Sequence, residues 1–373
     1  MQIIERSYEG FSCALPAEIQ CDPGKALFID IETTGLKKET TSLYLIGCGF
    51  YTDNGLMTRL FFADDPCEEY DIMVRFRDFA KGFSHLFCFN GFKFDIPYLE
   101  YKASKYDLDD FFAGLSTVDI YRLCKPLRYL LFNDSMRQKA IESFLGIMRE
   151  DKYGGGELIE VYKRYTRTNS PQDLDLLITH NREDVIGMHL ILPILNYLEL
   201  KDAPLEFEGY DVNGYTDFGG NSLEEVILTY RTPLTLPRPF VAKTDSMYVR
   251  YSSESGKIMI RLPLVEGTMK LFFDNYRDYC YIPDEDTVVP KSLAEALPKG
   301  SYKKATRDTC YQPVTGKFVK QPAAVFEPVL KISYKDKRRY FKFPDSFKKE
   351  AAETFGRELI NIFFTMKKRT STL

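Results

Sequence analysis

Three short segments of the chain end in acidic residues whose spacing suits metal-assisted chemistry: Phe28-Ile-Asp-Ile-Glu-Thr-Thr-Gly35, Phe89-Asn-Gly-Phe-Lys-Phe-Asp95 and His180-Asn-Arg-Glu-Asp184. In the first, Asp30 and Glu32 stand in and just after an apolar run, Ala26 to Ile31. On a β-strand, residues i and i+2 point to the same face, so these two carboxylates project side by side. Like charges that close raise each other's pKa unless a cation sits between them. Hard oxygen ligands of this kind suit magnesium or manganese better than zinc. Asp30, Glu32, Asp95 and Asp184 together make the set needed to hold two divalent ions over a phosphodiester.

The elements that must position these acids are legible around them. Thr33-Thr34-Gly35 offers a tight turn off the first strand, with glycine where the chain bends or approaches a ligand. Leu86 to Phe89 reads as a short buried strand running into Asn90-Gly91, where Asn90 is free to pin a turn. Asp95 would then sit in the first turn of a helix, where a lone carboxylate commonly does no more than offset the helix dipole. The third segment lies on a long apolar-periodic stretch, Leu174 to Leu198, on which His180 and Asp184 are i and i+4 and share a face. A solvated strand end, a helix-terminal charge or a packed histidine would explain any one segment alone. Their combination in this order is specific where each member is weak.

On these residues the chain resembles the DEDD superfamily of 3′–5′ exonucleases, which have the ribonuclease-H-like fold. Within that superfamily it is most similar to the YprB-like ribonuclease-H-like domain of bacterial proteins. The resemblance covers roughly residues 20–200 and includes Tyr44-Leu-Ile-Gly-Cys-Gly49, Thr117-Val-Asp-Ile-Tyr121, Leu145-Gly146, Gly156-Glu157 and Tyr162-Lys-Arg-Tyr165. It implies a two-metal exonuclease acting on single-stranded DNA or RNA, with Mg2+ or Mn2+ held by Asp30, Glu32, Asp95 and Asp184. Glu32 would also touch the attacking water or the 3′ end. Thr33, Gly35, Asn90 and Lys93, which flank the acids, are the candidate substrate-binding residues. One departure stands out: a histidine, His180, occupies the position four residues before the last aspartate, where the superfamily places a catalytic tyrosine; its catalytic histidines stand five before. One residue on a helix is about 100° of rotation. His180 is thus open to three roles: general base, water orienter or helix-packing residue.

Two-metal chemistry places the ions about 3.5–4 Å apart, one generating the nucleophile from water and the other stabilising the leaving oxygen. No covalent intermediate is needed, and the cysteines and serines form no nucleophile arrangement; Cys48 and Cys88 sit in apolar strand runs as small core residues. None of the 8 cysteines forms a Cys-x-x-Cys or pairs with histidine at zinc-ligand spacing, which implies reduced thiols and a cytoplasmic setting. The N-terminus lacks a signal pattern, and no run of about 18 apolar residues exists to enter a membrane.

At 373 residues the chain exceeds a single core, which rarely grows past about 250–300 residues. The expected division is a ribonuclease-H-like α/β domain over 1–202 and a β-rich accessory domain over 203–373, of no family recognised from its sequence. Residues 1–204 carry 23 Lys+Arg against 32 Asp+Glu, whereas residues 205–373 carry 27 against 22. A basic second half would help recruit polyanions by counterion release. The first domain reads as strands at 26–32, 42–51, 57–63, 86–89 and 116–119, with a hairpin turn at Asp53-Asn54-Gly55. Helices are expected near 68–81 and 95–104, then over Met136 to Gly146, Glu157 to Arg167 and Leu174 to Leu198, with Tyr153 to Glu157 a glycine loop. The result is a mixed sheet flanked by helices. The second half reads as antiparallel strands at 247–251, 258–262, 269–273, 329–334 and 339–343, closed by an amphipathic helix from Pro344. In its last hairpin, Lys331, Lys335, Lys337, Arg338, Arg339 and Lys342 alternate with Tyr334, Tyr340, Phe341 and Phe343, a pattern that could stack bases and hold phosphates or simply pack. The competing reading of the whole chain is a catalytically impaired nucleic-acid- or protein-binding module on the same fold. A structured-RNA endonuclease is a third.

Overall fold

The apolar run that holds the first two acids lies inside a six-stranded sheet. The computed structural model describes residues 1–11, 15, 19–108, 110–132, 135–216 and 219–366. The sheet is built from β1 (Gln2–Tyr8), β2 (Ala26–Thr33), β3 (Leu43–Thr52), β4 (Gly55–Phe62), β5 (His85–Cys88) and β6 (Ser116–Asp119), in the order β1-β4-β3-β2-β5-β6. Neighbours among β1 to β4 are antiparallel, while β5 pairs parallel with both β2 and β6. The mixed sheet is as expected, except that β1 at its edge has no clear sequence signature: its residues are largely exposed and mostly polar. The Asp53-Asn54 turn joins β3 to β4, with Thr52 opposite Gly55. Gly55 has φ +124°, and a Cβ there would stand 2.4 Å from the Tyr8 carbonyl of β1, so the turn needs glycine on both counts.

The helices are α1 (Glu69–Ala80), α2 (Asp95–Lys105), α3 (Ile120–Cys124), α4 (Arg128–Leu131), α5 (Gln138–Leu145), α6 (Gly155–Thr168) and α7 (Pro171–Ile191). Of these, α1 and α6 lie on opposite faces of the sheet. Phe61 and Phe62 are neighbours on β4 and point opposite ways. Phe61 meets Phe76 and Phe79 of α1, and Phe62 meets Tyr162 and Tyr165 of α6. The glycine run expected as a loop instead opens α6: Gly154 is its N-cap, and the Glu157 carboxylate accepts the Gly154 N–H at 2.8 Å. α7 starts three residues before the expected Leu174, because Ser170 caps it and Pro171 takes the first position. It stops at Ile191 rather than Leu198 and passes into a 3-10 segment, Leu192–Lys201, since Pro193 cannot donate a helical hydrogen bond.

The chain divides into two units, Met1–Lys125 with Asp134–Tyr197, and Pro126–Asn133 with Leu198–Leu373. The second contains α4, β7 (Glu206–Thr216), β8 (Ser222–Arg231), β9 (Phe240–Thr244), β10 (Met247–Ser252), β11 (Lys257–Phe272), β12 (Tyr279–Ile282), β13 (Thr287–Pro290), α8 (Lys291–Ala294), β14 (Lys303–Lys304), β15 (Tyr311–Gln321), β16 (Arg339–Lys342) and α9 (Lys349–Thr365). Every strand pair in it is antiparallel. Three expectations change here. The strands expected at 258–262 and 269–273 are one, β11, which pairs with β8 and β10 along one half and β15 along the other. The expected 329–334 strand reduces to isolated bridges at Leu330 and Lys331. Of the four aromatics in the basic segment, Tyr340 and Phe341 are buried, with Phe341 stacked on Phe326 at 4.2 Å, while Tyr334 and Phe343 are half-buried. The terminal helix begins at Lys349, not Pro344, and buries Ala352, Phe355, Leu359, Ile360 and Phe363. Among the described residues, no helix is long and apolar enough to cross a membrane.

Candidate active site

β2 delivers the first two acids. Asp30 faces Gly47 across the β2–β3 ladder, and Glu32 faces Leu45. Gly47 and Gly49 sit two apart on β3, beneath α7. A Cβ at Gly47 would lie 1.8 Å from Asn181 Oδ1, and one at Gly49 would lie 2.7 Å from both His189 Nε2 and Val185 Cγ1. The missing side chains let α7 settle onto the sheet. Asn181 Nδ2 then donates to Asp30 Oδ2 at 2.8 Å and to the Asp30 carbonyl at 3.2 Å.

The same helix brings His180 and Asp184 to the acids. His180 Nε2 lies 3.6 Å from Glu32 Oε1 and 3.3 Å from Asp184 Oδ2, and the ring is buried. Its other nitrogen, Nδ1, is 2.7 Å from Asp151 Oδ2, which Lys139 Nζ also reaches at 3.1 Å. With Nδ1 as the donor to Asp151, Nε2 turns a lone pair toward Glu32 and Asp184. Histidine at this spacing therefore reaches the carboxylates. Asp184 is held from its other side: Arg149 Nη1 donates to Asp184 Oδ1 at 2.5 Å. The same guanidinium grips Glu142 through Nε at 2.5 Å and Nη2 at 2.6 Å. Gln138 Nε2 completes the bracket, donating to Glu142 Oε1 at 3.0 Å and to the Asp184 carbonyl at 2.8 Å. Gly187 makes room for this group, since a Cβ there would stand 2.1 Å from Glu142 Oε1.

Asp95 enters from α2, in the first turn as expected. The turn before it depends on Asn90 at φ +60° and on Gly91, where a Cβ would meet Cys88 Sγ at 2.6 Å. The Asn90 side chain does not cap this turn; instead Asp119 Oδ1 accepts the Asn90 N–H at 2.8 Å and the Tyr121 N–H at 3.0 Å. Thr33 likewise serves the backbone, its hydroxyl donating to the Gly35 carbonyl at 2.8 Å. Gly35 packs against Thr41. Lys93 lies with Lys37, Lys38 and Phe94 around a cavity of about 290 Å³, adjoining in sequence both the β2 acids and Asp95.

The carboxylates crowd one another. Burial, then the charges of Asp184 and Glu32, push the Asp30 carboxyl well above the usual carboxylate range. Burial, then Asp184 and Asp95, does the same to Glu32. Asp95 is raised to about 6 by burial, with Asp119 and Asp184 adding to it and backbone hydrogen bonds opposing. Asp151 goes the other way: burial is outweighed by the Tyr153 N–H, the His180 ring and Lys139, which hold it below its ordinary value. Buried, mutually repelling carboxylates are the electrostatic complement of a divalent cation. Ligand atoms of Glu32, His180 and Asp184 lie within 4.8 Å of one another and could hold a metal ion. Two carboxylates and one imidazole are a ligand set that suits a divalent metal ion. Asp151, Arg149, Asn181 and Glu142 escaped the sequence reading. Only Asn181 left a signal there, as a polar residue on α7 opposite a glycine pair in an otherwise bulky strand.

Residues 27–196 match the family model RNase_H_2, described as RNase_H superfamily. No curated protein matches the chain. Among solved structures, it is similar to the family B DNA polymerase of the archaeon Pyrobaculum calidifontis (TM-score 0.39, 18% identity), over 48% of this chain and 26% of that one. It is also similar to E. coli exonuclease I in complex with a dA16 oligonucleotide (TM-score 0.27, 15% identity), over 56% of this chain and 54% of that one. For exonuclease I of Methylocaldum szegediense the TM-score is 0.27 and the identity 13%, over 78% and 64%. The chain thus spans about a quarter to two thirds of the length of these proteins. Residues 27–196, with their mixed sheet flanked by helices, have a ribonuclease-H-like fold.

Proposed function

We propose that the first unit is a divalent-metal-dependent nuclease that removes nucleotides from the 3′ end of single-stranded DNA or RNA in the cytoplasm. The observation that carries this reading is the convergence of Glu32, Asp184 and His180 where β2 meets α7, with Asp30 and Asp95 electrostatically linked to them. Asp30, Glu32, Asp95 and Asp184 would hold two Mg2+ or Mn2+ ions. When bound, such ions supply Lewis-acid charge that activates water and stabilises the leaving oxygen. The chain's own residues do the rest. His180, fixed through Nδ1 by Asp151, presents Nε2 to take a proton from the attacking water or to orient it. Lys93, with Lys37 and Lys38, supplies cations for the phosphates of the incoming strand. Thr33, Gly35 and Asn90 shape the two turns that aim the acids.

One observation favours a second reading. Arg149 neutralises Asp184 directly, as a chain that had given up metal binding would need to do. The two readings part in a cleavage assay. Linear and circular single strands are incubated with Mn2+, with and without Arg149→Gln. Degradation of the linear strand alone supports an exonuclease, and cleavage of both an endonuclease. Protein that binds the strand but cuts neither, in either variant, is a binding module.

A further inference from the structure

α7 lines a cavity on its other side. Arg182 stands two residues from both His180 and Asp184, about 200° round the helix from each. It lines a cavity of about 220 Å³ with Thr179 and Ile186 of α7, Arg6 and Tyr8 of β1, and Met148; the Arg149 and Glu142 that bracket Asp184 line it too. The cavity holds the guanidiniums of Arg6, Arg149 and Arg182, and only that of Arg149 is paired, with Glu142 and Asp184. The Glu142 carboxylate is taken by Arg149, and Glu183 accepts the backbone N–H groups of Glu150 and Asp151 at 2.8 and 3.0 Å. Glu150 is exposed at the rim. Arg182 Nε is buried with no hydrogen-bond partner, and among the described residues neither Arg6 nor Arg182 is in an ion pair. Two guanidiniums outside any ion pair, Arg6 and Arg182, thus share the cavity, and Arg182 has a buried orphan donor. Such a donor costs stability until an acceptor arrives.

We propose that this cavity binds the phosphate of a nucleotide-sized organic phosphate through Arg6 and Arg182. The planar guanidinium fork matches the oxygens of a phosphate, and the hydroxyls of Tyr8 and Thr179 add donors beyond what a carboxylate's two oxygens need. Met148 and Ile186 supply an apolar wall for the group that the phosphate carries. The proposal goes beyond the nuclease reading: Arg6 and Arg182 pair with none of the site's carboxylates, although Arg149, which brackets Asp184, lines the same cavity.

The test is calorimetric titration of the full chain in EDTA, so that no divalent ion can recruit phosphate to the carboxylates. The probes are inorganic phosphate, adenosine 5′-monophosphate, adenosine, and a six-nucleotide strand lacking terminal phosphates. Inorganic phosphate and the monophosphate should each saturate one site, and adenosine none. Arg6→Gln and Arg182→Gln should each weaken binding about tenfold, the effect of one lost charged hydrogen bond. Glu150→Gln should tighten it, and Asp30→Asn should leave it unchanged. Arg6 is exposed on an edge strand, so Arg6→Gln decides the matter even if Arg182→Gln disturbs α7. Tightest binding by the monophosphate identifies a free nucleotide as the ligand; tightest binding by the strand identifies a backbone phosphate. Absence of saturable binding by the wild type, or binding unaltered by Arg6→Gln, overturns the proposal. Binding lost in Asp30→Asn but kept in Arg6→Gln places the anion at the carboxylates and overturns it equally.

Discussion

His180 can serve as base or ligand only while its ring is held, and Asp151 is the group that holds it. Outer partners of this kind typically change activity or metal affinity about 10–100-fold when removed. Asp151→Ala should lower single-turnover cleavage by that factor. If Asp151 acts through the imidazole, the double variant with His180→Ala should be no slower than His180→Ala alone. Additive losses would show that Asp151 has a task of its own. The raised carboxylates make a second prediction. Between the ordinary carboxylate pKa, about 4, and about 6 for Asp95, the unfolded chain ionises while the native site keeps its protons. The native state then binds more protons than the unfolded one, so metal-free stability should fall as pH rises through this window. Denaturant unfolding in EDTA at pH 4 to 7 measures it, with Asp95→Asn as the reference that lacks this titration. Added Mg2+ should restore more stability at pH 7 than at pH 5; a wild type that tracks Asp95→Asn at every pH would refute the electrostatic picture. At this scale the pairing of Asp30 with Glu32 on one strand, and of Asp184 with His180 on one helix face, was legible in the sequence. Arg149 and Asp151 were not, since both lie in a segment without periodicity and act on α7 from 29 or more residues away.

The fit between β3 and α7 is set by what two residues lack. Gly47→Ala would drive a Cβ against Asn181 Oδ1, whose amide anchors Asp30. Overpacking of this kind costs about 1–3 kcal/mol. Urea unfolding should show that loss, and cleavage should fall as well, because the strand and helix that carry the acids are pushed apart. Stability lost with activity kept would mean that the α7 acids do not depend on this contact. The strands and helices of the first unit were largely legible from apolar runs and periodicity. The misses have local causes: Ser170 and Pro171 set the α7 start and Pro193 its end, and the Gly154-Gly-Gly run begins a helix because Glu157 caps it. The edge strand β1 stayed hidden because only one face of it is packed.

For the whole molecule, the units interleave in sequence. α4 lies between two segments of the first unit yet groups with the second, where it meets β9 and α9, and Leu127 and Leu130 are buried. A fragment ending at residue 202 would leave these leucines without β9 and α9. It should unfold less cooperatively and bind more of a hydrophobic dye than the full chain; behaviour identical to the full chain would show that α4 needs neither element. Alternating strand patterns revealed the β-rich second unit, but in its basic segment aromatic alternation reads alike whether the rings stack on bases or fill a core. Tyr340 and Phe341 do the latter. The most direct test of the central claim follows a 5′-labelled single strand of DNA or RNA incubated with the full chain and Mn2+, beside Asp30→Asn and Asp184→Asn. A ladder that shortens from the 3′ end, absent in both variants and in EDTA, is the expected result. An intact strand in the presence of bound Mn2+, or a ladder that persists in both variants, would contradict it.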